Sequence, residues 1–177
     1  TSIALVSQSG QPILGVVYDP VTETLYEAVK GSGVRCNGAL LEPSVGTTTP
    51  KGATTWFADR SVRNHPHFAR YDAHFDIQCV GGAVMNTLRV LKGANSVYIK
   101  GPKAARGGCA IWDLAAVALM VTEQGGSVRA YDGLELPLNR SESVFFNDVG
   151  FVFTSPDVEV DGLLREHQIL SSAGGTL

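Results

Sequence analysis

The 177-residue chain predicts an α/β fold in which a mixed β-sheet is flanked by helices. Three observations carry that prediction. Short β-rich runs recur along the chain, and segments with helical apolar spacing separate the later ones. From Ile111 to Val121 the residues are almost all Ala, Val, Leu, Ile, Met and Trp, with no polar face. A helix that is apolar all round is normally buried inside a domain.

The elements follow in order. Residues 2–7 and 13–18 read as two strands joined through Ser9-Gly10 as a hairpin. Residues 25–30 read as a third strand, closed by a turn through Gly31 and Gly33. Residues 41–52, with Pro43, three consecutive threonines and Pro50, read as a loop. Strands are predicted over 54–58, 75–80 and 95–99, with a short, poorly patterned helix or loop over 61–71. Val84, Leu88 and Leu91, with Met85 beside them, have the spacing of a helix. After the apolar helix, Gly125-Gly126 supplies residues that tolerate positive φ at a helix end. Residues 127–131 read as a strand ended by Asp132-Gly133, and 150–154 as a last strand. Ser155 as N-cap and Pro156 at the first helical position predict a helix from there to about Leu170. Residues 1–170 are read as a single domain, and 171–177 as a small, polar, flexible tail.

Composition narrows the function classes. A hydrophobic content of 44% and a charged content of 18% describe a globular, soluble chain. A net charge of −3 and a pI near 5.8 argue against a general nucleic-acid binder, which needs a basic face. No apolar run approaches the roughly 20 residues that span a bilayer, so no membrane partner is expected. The first residues lack a basic segment followed by an apolar core, so no secretory signal is expected in this sequence. Cys36, Cys79 and Cys109 are far apart and odd in number, which suits a reducing compartment such as the cytoplasm or a plastid-like interior.

One carboxylate stands out. Asp113 lies at the mouth of the buried helix, where its charge is costly unless compensated. Backbone N–H groups at the helix start could compensate it, and so could a bound cation. Gly81-Gly82-Ala83 follows a strand and opens a helix, so its backbone amides could approach an anionic or hydroxylated ligand closely; the plain alternative is a tight turn that needs small residues. Lys100, Lys103 and Arg106 cluster before the Asp113 segment, where basic residues are as often merely solvated. Glu123 lies about 15 Å of helical rise beyond Asp113, too far to share a metal ion, and reads as structural. His65, His67, Asp72, His74 and Asp76 could imitate a transition-metal site, but no regular element gathers them. Cys109 has no evident base beside it to make it a nucleophile.

Trp112-Asp113-x-Ala115-Ala116, an apolar stretch, and then Glu123-x-Gly125-Gly126 resemble the C-terminal signature of the inositol monophosphatase family. That family comprises magnesium-dependent phosphomonoesterases and includes the 3'(2'),5'-bisphosphate nucleotidases. Residues 2–6 and 11–20 resemble its central strand pair, 26–38 the hairpin after it, and Gly81-Gly82-Ala83 its Gly-Ser-Ala substrate loop. Gly82 stands where Ser is common. The resemblance implies the C-terminal part of a layered α/β sugar-phosphatase fold and Mg²⁺-dependent hydrolysis of a small phosphomonoester by a metal-activated water. It implies Asp113 as a metal ligand and catalytic residue, and Gly81, Gly82 and Ala83 as substrate contacts. Where inositol monophosphatases carry a Glu that handles sugar hydroxyls, this chain has Ile99-Lys100. A cation there suits a second anionic group, and Lys100 becomes a substrate-binding candidate.

The chain departs from the family in one respect. The acidic motif Asp-Pro-(Ile/Leu)-Asp-Gly-Thr and an upstream Glu are absent, since Asp19-Pro20 runs on into Val-Thr-Glu. The remaining metal carboxylates are therefore expected upstream of Thr1, in an N-terminal segment of the same protein. Other expected partners are a small phosphorylated metabolite and a second copy in a homodimer, as family members are often dimers. The substrate could be an inositol phosphate, a 3'-phosphoadenosine-type nucleotide or a sugar bisphosphate. The alternatives are a non-catalytic binding or regulatory module that keeps the fold, and an unrelated α/β domain.

Overall fold

The computed structural model describes residues 1–42 and 53–172. Among the described residues, ten strands and four α-helices form alternating layers of sheet and helix. The first sheet is an antiparallel meander of β1 (Ser2–Val6), β2 (Pro12–Asp19), β3 (Thr24–Val29), β4 (Val34–Cys36) and β5 (Ala39–Leu40) in chain order. Its register sets Ile3 against Val16, Leu5 against Leu14, and Val17 against Tyr26. Residues 43–52, most of the predicted loop, lie outside the described residues.

The second sheet has the order β7-β6-β8-β10-β9. Its strands are β6 (Thr55–Phe57), β7 (Asp76–Gln78), β8 (Ser96–Lys100), β9 (Ser127–Ala130) and β10 (Phe151–Thr154). β7, β6 and β8 are parallel, whereas β10 runs antiparallel to both β8 and β9. Its central strands are buried on both faces, and period two sorts them. Phe57, Tyr98, Phe151 and Phe153 face the core between the sheets, whereas Trp56, Val97, Ile99 and Val152 face a second core.

Between the sheets lie α2 (Ala83–Lys92) and α3 (Ile111–Glu123); beyond the second sheet lie α1 (Phe68–His74) and α4 (Val160–Ser172). The prediction of one mixed sheet thus becomes two sheets, only the second of them mixed. The reason is local. Short turns join β1 to β5, so they pair with one another. An α3 with no polar face also needs cover on both sides, and Leu114 to Val121 are all buried.

Close packing fixes α3 against the first sheet. A side chain at Gly15 on β2 would place its Cβ 2.7 Å from the Ala116 carbonyl oxygen and 3.0 Å from the Ala116 Cα. Strand and helix backbones therefore meet only because both positions are small. At the far end Gly125 adopts φ +80 just past the helix, as its place in the sequence predicts.

Two expectations about the C-terminus need correction. Ser155 does not cap α4, which begins at Val160. The Ser155 hydroxyl instead accepts the Ser96 N–H and donates to the Asp157 carboxylate, tying this turn to β8. Glu159 takes the capping role, accepting the Asp161 and Gly162 N–H groups at 2.9 and 2.6 Å. Ser171 and Ser172, assigned to the tail, belong to α4, and the Ser171 hydroxyl bonds to Tyr71. Residues 173–177 lie outside the described residues.

Candidate active site

The first turns of α2 and α3 line one cavity of about 410 Å³. Val84 and Met85 face it from α2, Trp112 and Asp113 from α3, and Asp19 and Thr1 from the first sheet. Two helix N-termini at one cavity supply partial positive charge, which favours an anion. The half-buried Asp113 is the third residue of α3. Its Oδ2 accepts the Ala110 N–H at 2.9 Å, while its own N–H donates to the Ala110 carbonyl at 2.9 Å. Among the described residues Oδ1 has no hydrogen-bond partner. One carboxylate oxygen caps the helix, and the other is left without a hydrogen-bond partner among the described residues. Asp19 is engaged differently, by the Val21 N–H and the Thr22 hydroxyl within its own turn.

Gly81, Gly82 and Ala83 lie immediately before Val84, with Gly82 as the N-cap of α2. Fully buried Asn86 holds this loop. Its amide nitrogen donates to the Gly81 carbonyl at 3.1 Å and to Asp59 Oδ1 at 3.1 Å. Its Oδ1 is buried without a partner.

Lys100 does not line the Asp113 cavity. It ends β8, and its Nζ lies 2.5 Å from Asp59 Oδ2, with 27% of its side chain exposed. Tyr98 also donates to Asp59, at 3.1 Å, and Cys109 Sγ lies 3.5 Å from both Lys100 Nζ and Tyr98 Oη. Burial opposes the Lys100 charge, but the Asp59 hydrogen bond and charge, together with Cys109, outweigh it and hold the amine above its ordinary pKa. Burial pushes the Cys109 thiol up, which removes it as a ready nucleophile. Lys103 and Arg106 are exposed; Lys103 lines the same cavities as Lys100, and Arg106 lines neither.

The other candidates resolve plainly. Glu123 is structural: its two oxygens accept the Gly31 and Gly33 N–H groups, each at 2.8 Å. The His65 ring lies tilted against those of His67 and Tyr71, and His74 bonds to the Arg70 carbonyl. Among the described residues no group of three His, Cys, Asp or Glu could hold a metal ion. Likewise, no helix is long and apolar enough to cross a membrane.

Sequence reasoning passed over Asp59 and Asn86, which join the glycine loop to Lys100. Asp59 carried a readable signal, as a carboxylate just past the C-terminal end of a parallel strand, where α/β sheets place ligands. Asn86 carried none, because it sits within an ordinary helical pattern.

The chain is similar to known proteins. Over 144 residues the chain is 31% identical to a protein named Nus factor SuhB from Xylella fastidiosa, covering 77% of this chain and 49% of that protein. It is 28% identical over 125 residues to inositol monophosphatase 1 of Xenopus laevis, covering 64% of this chain and 41% of that one. The chain thus spans about half the length of the curated relatives it matches. A Thermotoga maritima IMPase superimposes with a TM-score of 0.73 at 21% identity, covering 98% of this chain and 62% of that structure. The layered fold, the two helix starts around Asp113 and a match over residues 1–169 to the family described as the inositol monophosphatase family place this chain in that family.

Proposed function

We propose that the protein hydrolyses a small phosphomonoester with Mg²⁺, and that Asp113 is one ligand of the metal. The observation that carries this reading is the Asp113 Oδ1, unpartnered among the described residues on a cavity shared by the first turns of α2 and α3. A hard carboxylate oxygen of this kind suits Mg²⁺, which takes one or two carboxylates and keeps several waters. When bound, the metal supplies charge for the phosphoryl oxygens and a water acidic enough to attack near neutral pH.

The chain's own residues do the rest. The Ala110 N–H pins one Asp113 oxygen and so aims the other. The start of α2, with Gly82 as its N-cap, offers backbone N–H groups to the phosphate in this reading; Val84 and Met85 line the Asp113 cavity, and Gly81, Gly82 and Ala83 adjoin it in sequence. Asn86 holds that loop to Asp59, and Asp59 orients Lys100 toward a second anionic group of the substrate. Inositol phosphates and 3'-phosphoadenosine-type nucleotides are the substrate classes considered. Solved neighbours are described as complexes with 2'AMP and with NADP and Ca²⁺, which are phosphorylated ligands of comparable size.

The test is phosphate release by the full-length protein from inositol 1-phosphate and adenosine 3',5'-bisphosphate, with Mg²⁺ and with EDTA. Release that needs Mg²⁺ and disappears in Asp113→Asn supports the reading. Metal-independent release, or an Asp113→Asn variant as active as the parent, overturns it. A second reading, a regulatory module, draws on the relatives named Nus factor, and it gains if neither substrate is hydrolysed.

A further inference from the structure

The chain reaches Asp113 through a segment that does little to fix its own course. After β8, residues 101–106 are all exposed, and Gly107 and Gly108 adopt φ +100 and +108, a region that favours glycine. Ala110, the N-cap of α3, has no polar side chain with which to cap the helix. Yet Ala110 supplies the N–H that fixes Asp113 Oδ2. The aim of the carboxylate therefore depends on whatever holds Ala110 from the side.

Residues 109–111 run antiparallel to 144–146, with Ala110 opposite Phe145 in an isolated bridge outside both sheets. The Ile111 N–H donates to the Val144 carbonyl at 2.9 Å, and the Phe146 N–H to the Cys109 carbonyl at 3.0 Å. Belonging to neither sheet, segment 144–146 needs an anchor of its own, and Arg140 provides it. Its Nη1 and Nη2 donate to the two Asp148 oxygens at 2.8 and 2.6 Å, and Nη1 also reaches the Phe145 carbonyl at 3.2 Å. The guanidinium lies over the buried Phe146 ring, 5.8 Å from its centre. This fork closes the 140–148 loop, and a two-pronged pair of this kind fixes geometry as well as charge. The Arg140 hydrogen bond holds the Asp148 carboxyl down at about 2, so the pair stays charged around neutral pH.

Neither Arg140 nor Asp148 lines the Asp113 cavity, and none of the steps above uses them. We propose that both are positioning residues for Asp113: the fork sets the 140–148 loop, the loop sets Ala110, and Ala110 sets the carboxylate. The proposal rests on Asp113 as a metal ligand for its effect on affinity, but not for the coupling of the fork to Ala110. Replacing a group that orients a metal ligand commonly costs about 10–100-fold in affinity. The fork stands further from the metal than such a group, so the lower end of that range applies.

Asp148→Ala removes one partner at a position that is 54% exposed, and Arg140→Met keeps the stem over Phe146 while losing the fork. In the full-length protein, the dissociation constant for Mn²⁺, used as a paramagnetic stand-in for Mg²⁺ and read by electron paramagnetic resonance, should rise about tenfold in either variant. Arg140→Lys, which keeps the charge without the fork, should fall between the parent and Arg140→Met. Amide exchange at Ala110 and Phe146 should quicken about tenfold, while Val117 and Leu119 in the middle of α3 keep the parent rate. With Asp113→Asn already present, adding Asp148→Ala should weaken Mn²⁺ binding no further, because both act through one carboxylate.

Where Asp113→Asn weakens Mn²⁺ binding, an unchanged dissociation constant in folded Asp148→Ala overturns the proposal, even if Arg140→Met fails to fold. Exchange that quickens along all of α3 without selectivity for Ala110 overturns it too, since the fork would then serve stability alone. Failure of both variants to fold has the same meaning. Where Asp113→Asn leaves Mn²⁺ binding unchanged, the metal reading falls by itself. Exchange at Ala110 in Asp148→Ala then decides the fork: selective quickening supports it, and the parent rate overturns it.

Discussion

Asp113 and Glu123 stand at opposite ends of the same helix, and their oxygens are occupied differently. At the C-terminal end Glu123 gives each oxygen an N–H partner across the turn after β3. At the N-terminal end Asp113, which lines a cavity, gives one oxygen to the Ala110 N–H and leaves the other without a partner among the described residues. Both carboxylates belong to the same sequence signature. What separates them is the number of lone pairs the fold has already used. A saturated carboxylate fastens one element to another, and a half-saturated one retains the capacity to bind a ligand.

The largest expected effect tests the open end. Asp113→Asn keeps an oxygen for the Ala110 N–H and removes the negative charge, so the helix cap survives while the proposed metal ligand is lost. Turnover of the full-length protein should fall about a thousandfold, equivalent to about 4 kcal/mol of transition-state stabilisation. The melting temperature should barely move. If Asp113→Asn lowered stability and left turnover intact, the two carboxylates would be equivalent and the contrast would collapse.

Acid sharpens the comparison by separating a third buried group from both. His167 has its pKa lowered to about 4 by burial, against 6.5 unfolded. Below pH 6.5 the unfolded chain gains a proton that the folded chain refuses, so this contribution to stability is present above 6.5 and is lost as pH falls toward 4. The loss over that window should reach about 3 kcal/mol. Chemical denaturation across pH 4 to 7 checks it, and His167→Phe should flatten the slope. Comparisons of Asp113 and Glu123 variants therefore belong above pH 6.5. A slope unchanged by His167→Phe would reassign the acid sensitivity to carboxylates.

The rod between the two ends can also be broken. Gly15→Val places a side chain against the Ala116 backbone, where even a Cβ would lie 2.7 Å from the carbonyl oxygen. Overpacking of this kind costs about 2–3 kcal/mol. Because it displaces α3 as a whole, it should lower both the melting temperature and turnover, unlike either end variant. Normal stability in Gly15→Val would mean that β2 and α3 part easily and that Asp113 is not held as tightly as the packing indicates.

Much of this was legible in the sequence because it is local. The all-round apolar run gave α3 its burial, Gly125 its stop, and the β-rich runs their strands. Asp113 was legible as a costly charge at a buried helix start, and Glu123 as too distant to join it. What stayed hidden depends on contacts far apart in sequence. Asp59 meets Asn86 from 27 residues away and Lys100 from 41, and no periodicity links them. Division of the strands into two sheets was equally hidden, since strand runs do not state their partners. Ser155 misled because a good capping residue was claimed by a tertiary contact with β8.

The smallest expected effect tests the closed end. Glu123→Gln keeps an acceptor for one of the two glycine N–H groups but turns an amide NH₂ toward the other, and it removes the charge from both bonds. Hydrogen bonds to a charged group are worth about 1.5–3 kcal/mol, and one such bond survives in neutral form, so the net cost should be about 2 kcal/mol. In a chain of this size that lowers the melting temperature by roughly 4–8 °C. The turn after β3 should loosen first, with faster amide exchange at Gly31 and Gly33 than in the parent. Turnover below the melting transition should stay near the parent value, because the fastening lies at the end of α3 remote from the proposed chemistry. A large loss of turnover with an unchanged melting temperature would place Glu123 in the reaction, and an occupied carboxylate could then no longer be told from an open one by its hydrogen bonds.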